Sequence, residues 1–251
     1  MSSHERRPES FKENLASQLS RRARTLEFLK LKTDGLEQGF GAWIEKNGGL
    51  LEAKYLQGLD RLLIVPAGFS PQQGIKLLGS LTNELRAGGK LKDSRGGSIT
   101  GKPHNDKDVH VWDKVWDEPA VRRSAKPYFF LTEDLPELVR PGTSEVMGGR
   151  TQLETGLSPQ EYRKLLANNP QYQGEYGYTR EDILIDYLTR LSEKKIVSDI
   201  WTMSYALGED TSTGSVLESN WNPDDHRFDL DSDHSGHGWS GFGARVAVKG
   251  E

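Results

Sequence analysis

Residues 220–248 read NWNPDDHRFDLDSDHSGHGWSGFGARVAV, and the reading of this stretch decides the fold. It holds three of the chain's six histidines, His226, His234 and His237, together with five aspartates. By residue type alone, that mixture suggests a metal centre. The spacing points elsewhere. Successive side chains of an extended strand alternate between faces, so RFDLD puts Phe228 and Leu230 on one side and Arg227, Asp229 and Asp231 on the other. ARVAV repeats the pattern, with Ala244, Val246 and Val248 opposed to Arg245 and Ala247. Short strands joined by glycine- and aspartate-rich turns are predicted, their polar set turned to solvent.

The vocabulary of the stretch is also skewed. Glutamate outnumbers aspartate in the whole chain, 20 to 17, yet residues 219–250 contain five Asp and no Glu. Between Asn222 and Phe242 there is no Lys, Glu, Gln or Met. Every residue type in that run except Trp239 is reachable from the asparagine codon AAC by changing its adenines. Selection for solubility alone gives no reason to exclude Glu and Lys.

Upstream, an amphipathic helix is predicted over Phe11–Leu31, carrying Leu15, Leu19, Leu26 and Leu29, and a second over Gly49–Leu59. RLLIVPAG (Arg61–Gly68) reads as an apolar strand stopped by proline and glycine. Ser70-Pro71-Gln72-Gln73 has the chemistry of a helix start, with a capping serine and proline at the first helical position, and that helix should reach about Arg86. Residues 91–108 form a polar loop. DVHVWDKVW (Asp108–Trp116) alternates as a half-buried strand does, PYFFLT (Pro127–Thr132) is another strand, and helices are expected at Ser158–Asn168 and Thr179–Ile196. Helices and strands do not alternate regularly, which favours an α+β fold over a doubly wound sheet.

Several motifs fail on their surroundings. GGSITGK (Gly96–Lys102) has the spacing of a phosphate-binding loop, but Pro103 stands where a Mg²⁺-binding Ser or Thr belongs and no hydrophobic strand precedes it. DLDSDHSG (Asp229–Gly236) begins like a calcium loop, yet His234 and Ser240 occupy the positions of its glycine and closing glutamate. His104 and His110 lie near Asp106 and Asp108 without a third ligand close in sequence. No G-x-S-x-G elbow is present. Cysteine is absent, which removes disulfides, thiolate ligands and cysteine nucleophiles together. The expected lists of cofactors, metal ligands and catalytic residues are therefore empty.

Net charge is -4, which gives no reason to expect nucleic-acid binding. Residues 1–35 hold eight Lys/Arg against five Asp/Glu, whereas residues 205–251 hold three against nine. No apolar run approaches the roughly 18 residues of a membrane span, and MSSHERRPESFKEN lacks the apolar stretch of a secretory signal. A cytoplasmic location is expected, with display on a virion or cell surface left open.

In order along the chain, GLSPQEY (Gly156–Tyr162), DIWTM (Asp199–Met203), ALGED…GSV (Ala206–Val216), NWNPD (Asn220–Asp224) and GARVAV (Gly243–Val248) resemble the variable proteins of diversity-generating retroelements. LLIVPAGFSP and PYFFLT fit the same likeness, which covers most of residues 60–250. The resemblance implies a C-type-lectin-like domain of the formylglycine-generating-enzyme type over residues 59–251, preceded by an N-terminal helical segment over residues 1–58. It implies a non-enzymatic protein whose variable region, about 220–245, is diversified at exposed positions by an adenine-directed process. Carried onto this sequence, the ligand-binding residues are Asn222, Asp225, His226, Arg227, Asp229, Asp231, Asp233, His234, Ser235, His237, Trp239 and Ser240. The fixed frame includes Trp221, Phe228, Leu230, Gly243, Arg245 and Val246. SDHSGHGWSGF (Ser232–Phe242) departs from the family in lacking its second NPD-like turn. The expected partner is a macromolecule, a protein before others, and an oligomer contact through the Phe11–Leu31 helix is conceivable. A rival is a non-haem iron enzyme of the same fold with a three-histidine site drawn from His104, His110, His226, His234 and His237.

Overall fold

The computed structural model describes residues 10–117, 125–208 and 214–250. Helix α1 (Phe11–Phe28) opens at a capping box in which Ser10 Oγ accepts from the Glu13 amide and Glu13 accepts from the Ser10 amide at 2.8 Å. Helix α2 (Leu36–Leu56) begins a full thirteen residues before the expected Gly49. Its glycines lower helix propensity, but Leu36, Phe40, Trp43 and Leu51 recur at helical spacing and are all buried. Gly39 has a positive reason to be glycine: a Cβ there would press on the Phe129 ring at 3.2 Å.

Strand β1 (Arg61–Val65) leads to α3 (Pro71–Ala87), where the Gln73 amide donates to Ser70 Oγ as the cap requires. Strand β2 (Val109–Val111) is much shorter than the expected 108–116 strand. After it the chain tightens into a 3₁₀ turn at Lys114–Asp117, which delivers Trp116 into the core with its indole N–H on the Asp231 carbonyl. There follow β3 (Tyr128–Thr132), the small hairpin β4 (Val146–Met147) and β5 (Arg150–Thr151), α4 (Pro159–Asn168), β6 (Glu175–Gly177) and α5 (Arg180–Lys194). Ser158 and Thr179 cap α4 and α5 with capping boxes. The remaining strands are β7 (Met203–Tyr205), β8 (Ser215–Asn222), β9 (Arg227–His234), β10 (Phe242–Ala244) and β11 (Val246–Val248). The mixed α+β class expected from the sequence is the class found.

Two sheets organise these strands. One is antiparallel, in the order β1-β3-β11-β6, and the other is mixed, in the order β10-β7-β8-β9-β2. A single hydrophobic cluster joins Leu15, Leu26, Phe40 and Trp43 of the first two helices to Phe129, Leu184, Trp221, Phe228 and Val248. The apolar stripe of α1 is thus covered within the chain. Only Arg245 separates β10 from β11, so the chain crosses from one sheet to the other at that residue. Among the described residues, no helix is long and apolar enough to cross a membrane.

Candidate ligand-binding site

The β8–β9 hairpin pairs Asn222 with Arg227 beside the turn and Ser215 with His234 at the far end. Alternation gives the mixed sheet two different faces. Leu217, Ser219, Trp221, Phe228 and Leu230 face inward, where the Tyr187 ring of α5 lies 5.0 Å from that of Phe228. Glu218, Asn220 and Asn222 face outward with Asp231, Asp229 and Arg227 opposite them, and His110 of β2 extends the row beyond Asp229. Near β10 and β7 this outer face is roofed: Tyr205, Val216 and Ala244 join Tyr162 of α4 in a second hydrophobic cluster. Along the Asp231–His234 end of β9 it is more open.

At the turn, Asn222 Oδ1 accepts from the amides of Asp224 (3.0 Å) and Asp225 (3.1 Å), and its Nδ2 donates to Asp229 at 2.9 Å. This is the local hydrogen bonding that favours Asn before a turn. His226 adopts a left-handed φ of 53° and lays its ring against Gly101, where any Cβ would overlap it. The glycine of the GGSITGK loop therefore makes room for a histidine. Arg86 ties the turn down, donating to the His226 carbonyl and to Asp108 and lying over the Trp221 ring.

Two residues expected to face solvent do not. Arg227 is 2% exposed and Asp229 is 8% exposed. They are paired with each other at 2.9 Å, Arg227 also reaches Asp225 at 2.6 Å, and the guanidinium lies over the Trp112 ring. The alternation gives the correct face but not the correct depth, because β2, from more than a hundred residues upstream, pairs alongside β9 at Phe228–Leu230 and the Trp112 ring just beyond it lies over Arg227.

The opposite end of β9 is open. Asp231, Asp233 and Ser235 are half-buried, and His234, His237, Trp239 and Ser240 are exposed. The loop that carries them is pinned at several points. Asp233 Oδ2 accepts from the Trp239 indole at 2.9 Å, Gln160 donates to the Ser235 carbonyl, and Thr155 Oγ1 donates to the Ser240 carbonyl at 2.7 Å. Gly238 runs so close to the start of α4 that a Cβ would meet the Ser158 amide nitrogen at 2.9 Å. Trp239 is 55% exposed and Trp112, just after β2, 58%. His110 packs edge-on against Trp112 at 4.2 Å.

The twelve expected residues are thus brought onto one hairpin but not to one point. Asn222, Asp225, His226 and Arg227 surround the turn, whereas Asp233 and His234 lie six and seven rungs away, roughly 20–24 Å at strand rise, with Ser235–Ser240 in the loop beyond. His234 and His237 meet each other, with ring centroids 5.6 Å apart, but His226 belongs to the far end. Among the described residues, no group of three His, Cys, Asp or Glu side chains is arranged to hold a metal ion.

Two members of this face stand outside the sequence expectations. The alternation of DVHVWDKVW places Trp112 on a strand but carries no sign of its exposure. Glu218 is absent from the expected site, although SVLESNWN alternates as clearly as RFDLD does. It stands directly across from Asp231 on β9 and from Tyr205 on β7. Burial, followed by repulsion from Asp233 and Asp231, pushes its carboxyl up to about 8. Burial likewise raises Asp231.

No protein-family model, curated protein or solved structure matches this chain.

Proposed function

We propose that this chain is a non-enzymatic binding protein whose recognition surface is the open half of the outer sheet face and the loop beyond it. The frame is C-type-lectin-like on this reading, and a retroelement diversifies the exposed positions. One observation carries it most of the way: a run whose residue types, Trp239 excepted, are reachable from the asparagine codon supplies that outer surface, while Trp221, Phe228 and Leu230 behind it are fully buried. Exposed Trp112 and Trp239 flank the surface, and tryptophan is the residue type most often found to dominate binding energy at protein interfaces.

The surface is narrower than the sequence suggested. Arg227 and Asp229 hold the turn together, so the variable contacts are Asp231, Asp233, His234, Ser235, His237 and Ser240, with Trp239, Trp112 and His110 as fixed neighbours. The acidic set favours a partner presenting basic groups, by complementary charge. The three-histidine iron enzyme receives no support, since His226 lies far from His234 and His237.

The deciding test is genomic. A near-identical, adenine-richer copy of the 222–242 coding segment beside a reverse transcriptase gene is expected; a coding region with no such copy overturns the diversified-surface reading.

A further inference from the structure

Glu218 is 7% exposed, and its Oε2 has no hydrogen-bond partner among the described residues. Asn220 Oδ1, two residues along on the same face, has none either. A buried carboxylate oxygen left without a donor costs stability, so it calls for a reason. Its surroundings make the matter more acute. Asp231 stands directly opposite, Asp233 lies on the diagonal, and the charges acting on Glu218 are those two, both repulsive. Arg227, the cation of this face, is occupied by Asp225 and Asp229. Three acids therefore meet at the boundary between the roofed and open halves of the sheet, where among the described residues the ion-pair contact to them is His237 Nδ1, 3.7 Å from Asp233 Oδ1.

We propose that Glu218, Asp231 and Asp233, walled by Trp239, form a binding site for one organic cation: the ammonium or guanidinium tip of a basic side chain on a protein ligand. The assignment rests on reading this face as a recognition surface and names what it recognises. An ammonium or guanidinium group supplies the donors that Glu218 Oε2 and Asn220 Oδ1 lack. Residues directly opposite on neighbouring strands have Cβ atoms about 5 Å apart, and diagonal ones about 7–8 Å, so their carboxyl groups span a width that several N–H donors can bridge. A compact metal ion needs closer convergence, and the described residues provide none. The indole of Trp239, held by Asp233 at 2.9 Å, offers an aromatic face to the same cation.

The test titrates the ¹⁵N-labelled full chain while following the Trp239 indole N–H, assigned by its disappearance in Trp239→Phe. The probes are N-acetyl-lysine methylamide, N-acetyl-arginine methylamide, the glutamine analogue, spermidine and calcium chloride. A saturable shift with the lysine or arginine probe is expected, with none from the glutamine probe. Glu218→Gln and Asp231→Asn should abolish it with the rest of the spectrum unchanged, whereas Glu84→Gln on α3 should leave it intact. Binding near neutral pH should also release a proton, because a neighbouring cation favours the Glu218 carboxylate; Asp231, Asp233, Tyr205 and His237 are the other titratable groups facing it. An equal response to the glutamine probe, persistence in Glu218→Gln, or saturation by calcium or spermidine alone overturns the proposal. The genomic test of the diversified surface involves none of these probes, so either reading can fail without the other.

Discussion

Arg245 and Asp199 form an ion pair at 2.6 Å, buried where the chain passes from the mixed sheet to the antiparallel one. Asp199, in a left-handed conformation at φ 55°, also accepts from the Tyr187 hydroxyl at 2.9 Å and Ser204 Oγ at 2.7 Å. Arg245 in turn donates to the carbonyl of Leu135 at 2.7 Å. Arg245→Met leaves Asp199 buried without its counter-charge and should cost about 3–5 kcal/mol. Urea unfolding is the measurement; a loss below about 1 kcal/mol would show that the pair does not join the sheets.

The exposed and buried members of residues 222–242 should behave differently. Arg227→Ser breaks a buried pair with Asp225 and Asp229 and should destabilise by about 3 kcal/mol or more. His237→Ser and His234→Ser change exposed positions and should stay within about 0.5 kcal/mol. Thermal unfolding of the three variants side by side decides whether depth separates frame from surface.

Gly238→Ala introduces a methyl group against the backbone of Gly156–Ser158. The loop must shift, at about 1–3 kcal/mol, and the Trp239 indole should lose its bond to Asp233. A displaced Trp239 indole N–H resonance, with the signals of β1 and β3 unmoved, is the expected signature. An unchanged resonance would mean that the loop is not seated on α4.

Glu218 gives the protein a pH dependence of definite sign. Its folded value of about 8 lies above the ordinary 4.5, so between those values the folded state binds more protons than the unfolded state. Stability should therefore fall as pH rises through that window. Asp182, raised to about 6 chiefly by burial, acts in the same direction lower down. The interval from pH 6.5 to 8 thus isolates Glu218. Glu218→Gln should flatten the urea midpoint there, and a slope identical to that of the parent chain would refute the assignment.

Much of the architecture was legible because its determinants are local. Ser70-Pro71-Gln72-Gln73 carries its own cap, and α3 begins where that chemistry says. The helices at Ser158 and Thr179 follow the same logic, and the frame positions Phe228 and Leu230 follow from two-residue alternation. What the sequence hid depends on partners far away. Helix α2 survives its glycines because Phe40 and Trp43 pack on Phe129, nearly ninety residues downstream. The apparent strand 108–116 stops short because Trp116 finds the Asp231 carbonyl. Arg227 and Asp229 are buried because β2 pairs alongside β9 and the Trp112 ring lies over Arg227. Alternation reports which side a residue faces, and only the neighbouring strand reports how deep it lies.

The placement of β11 has a further consequence. It is an interior strand, hydrogen-bonded to β3 on one side and β6 on the other, and it is encoded after the stretch that carries the surface. A frameshift or stop codon anywhere in residues 222–242 therefore also deletes the middle of the opposite sheet. Such a product lacks the strand that bridges β3 and β6 and is expected not to fold. Folding itself thus acts as a reading-frame check on residues 222–242.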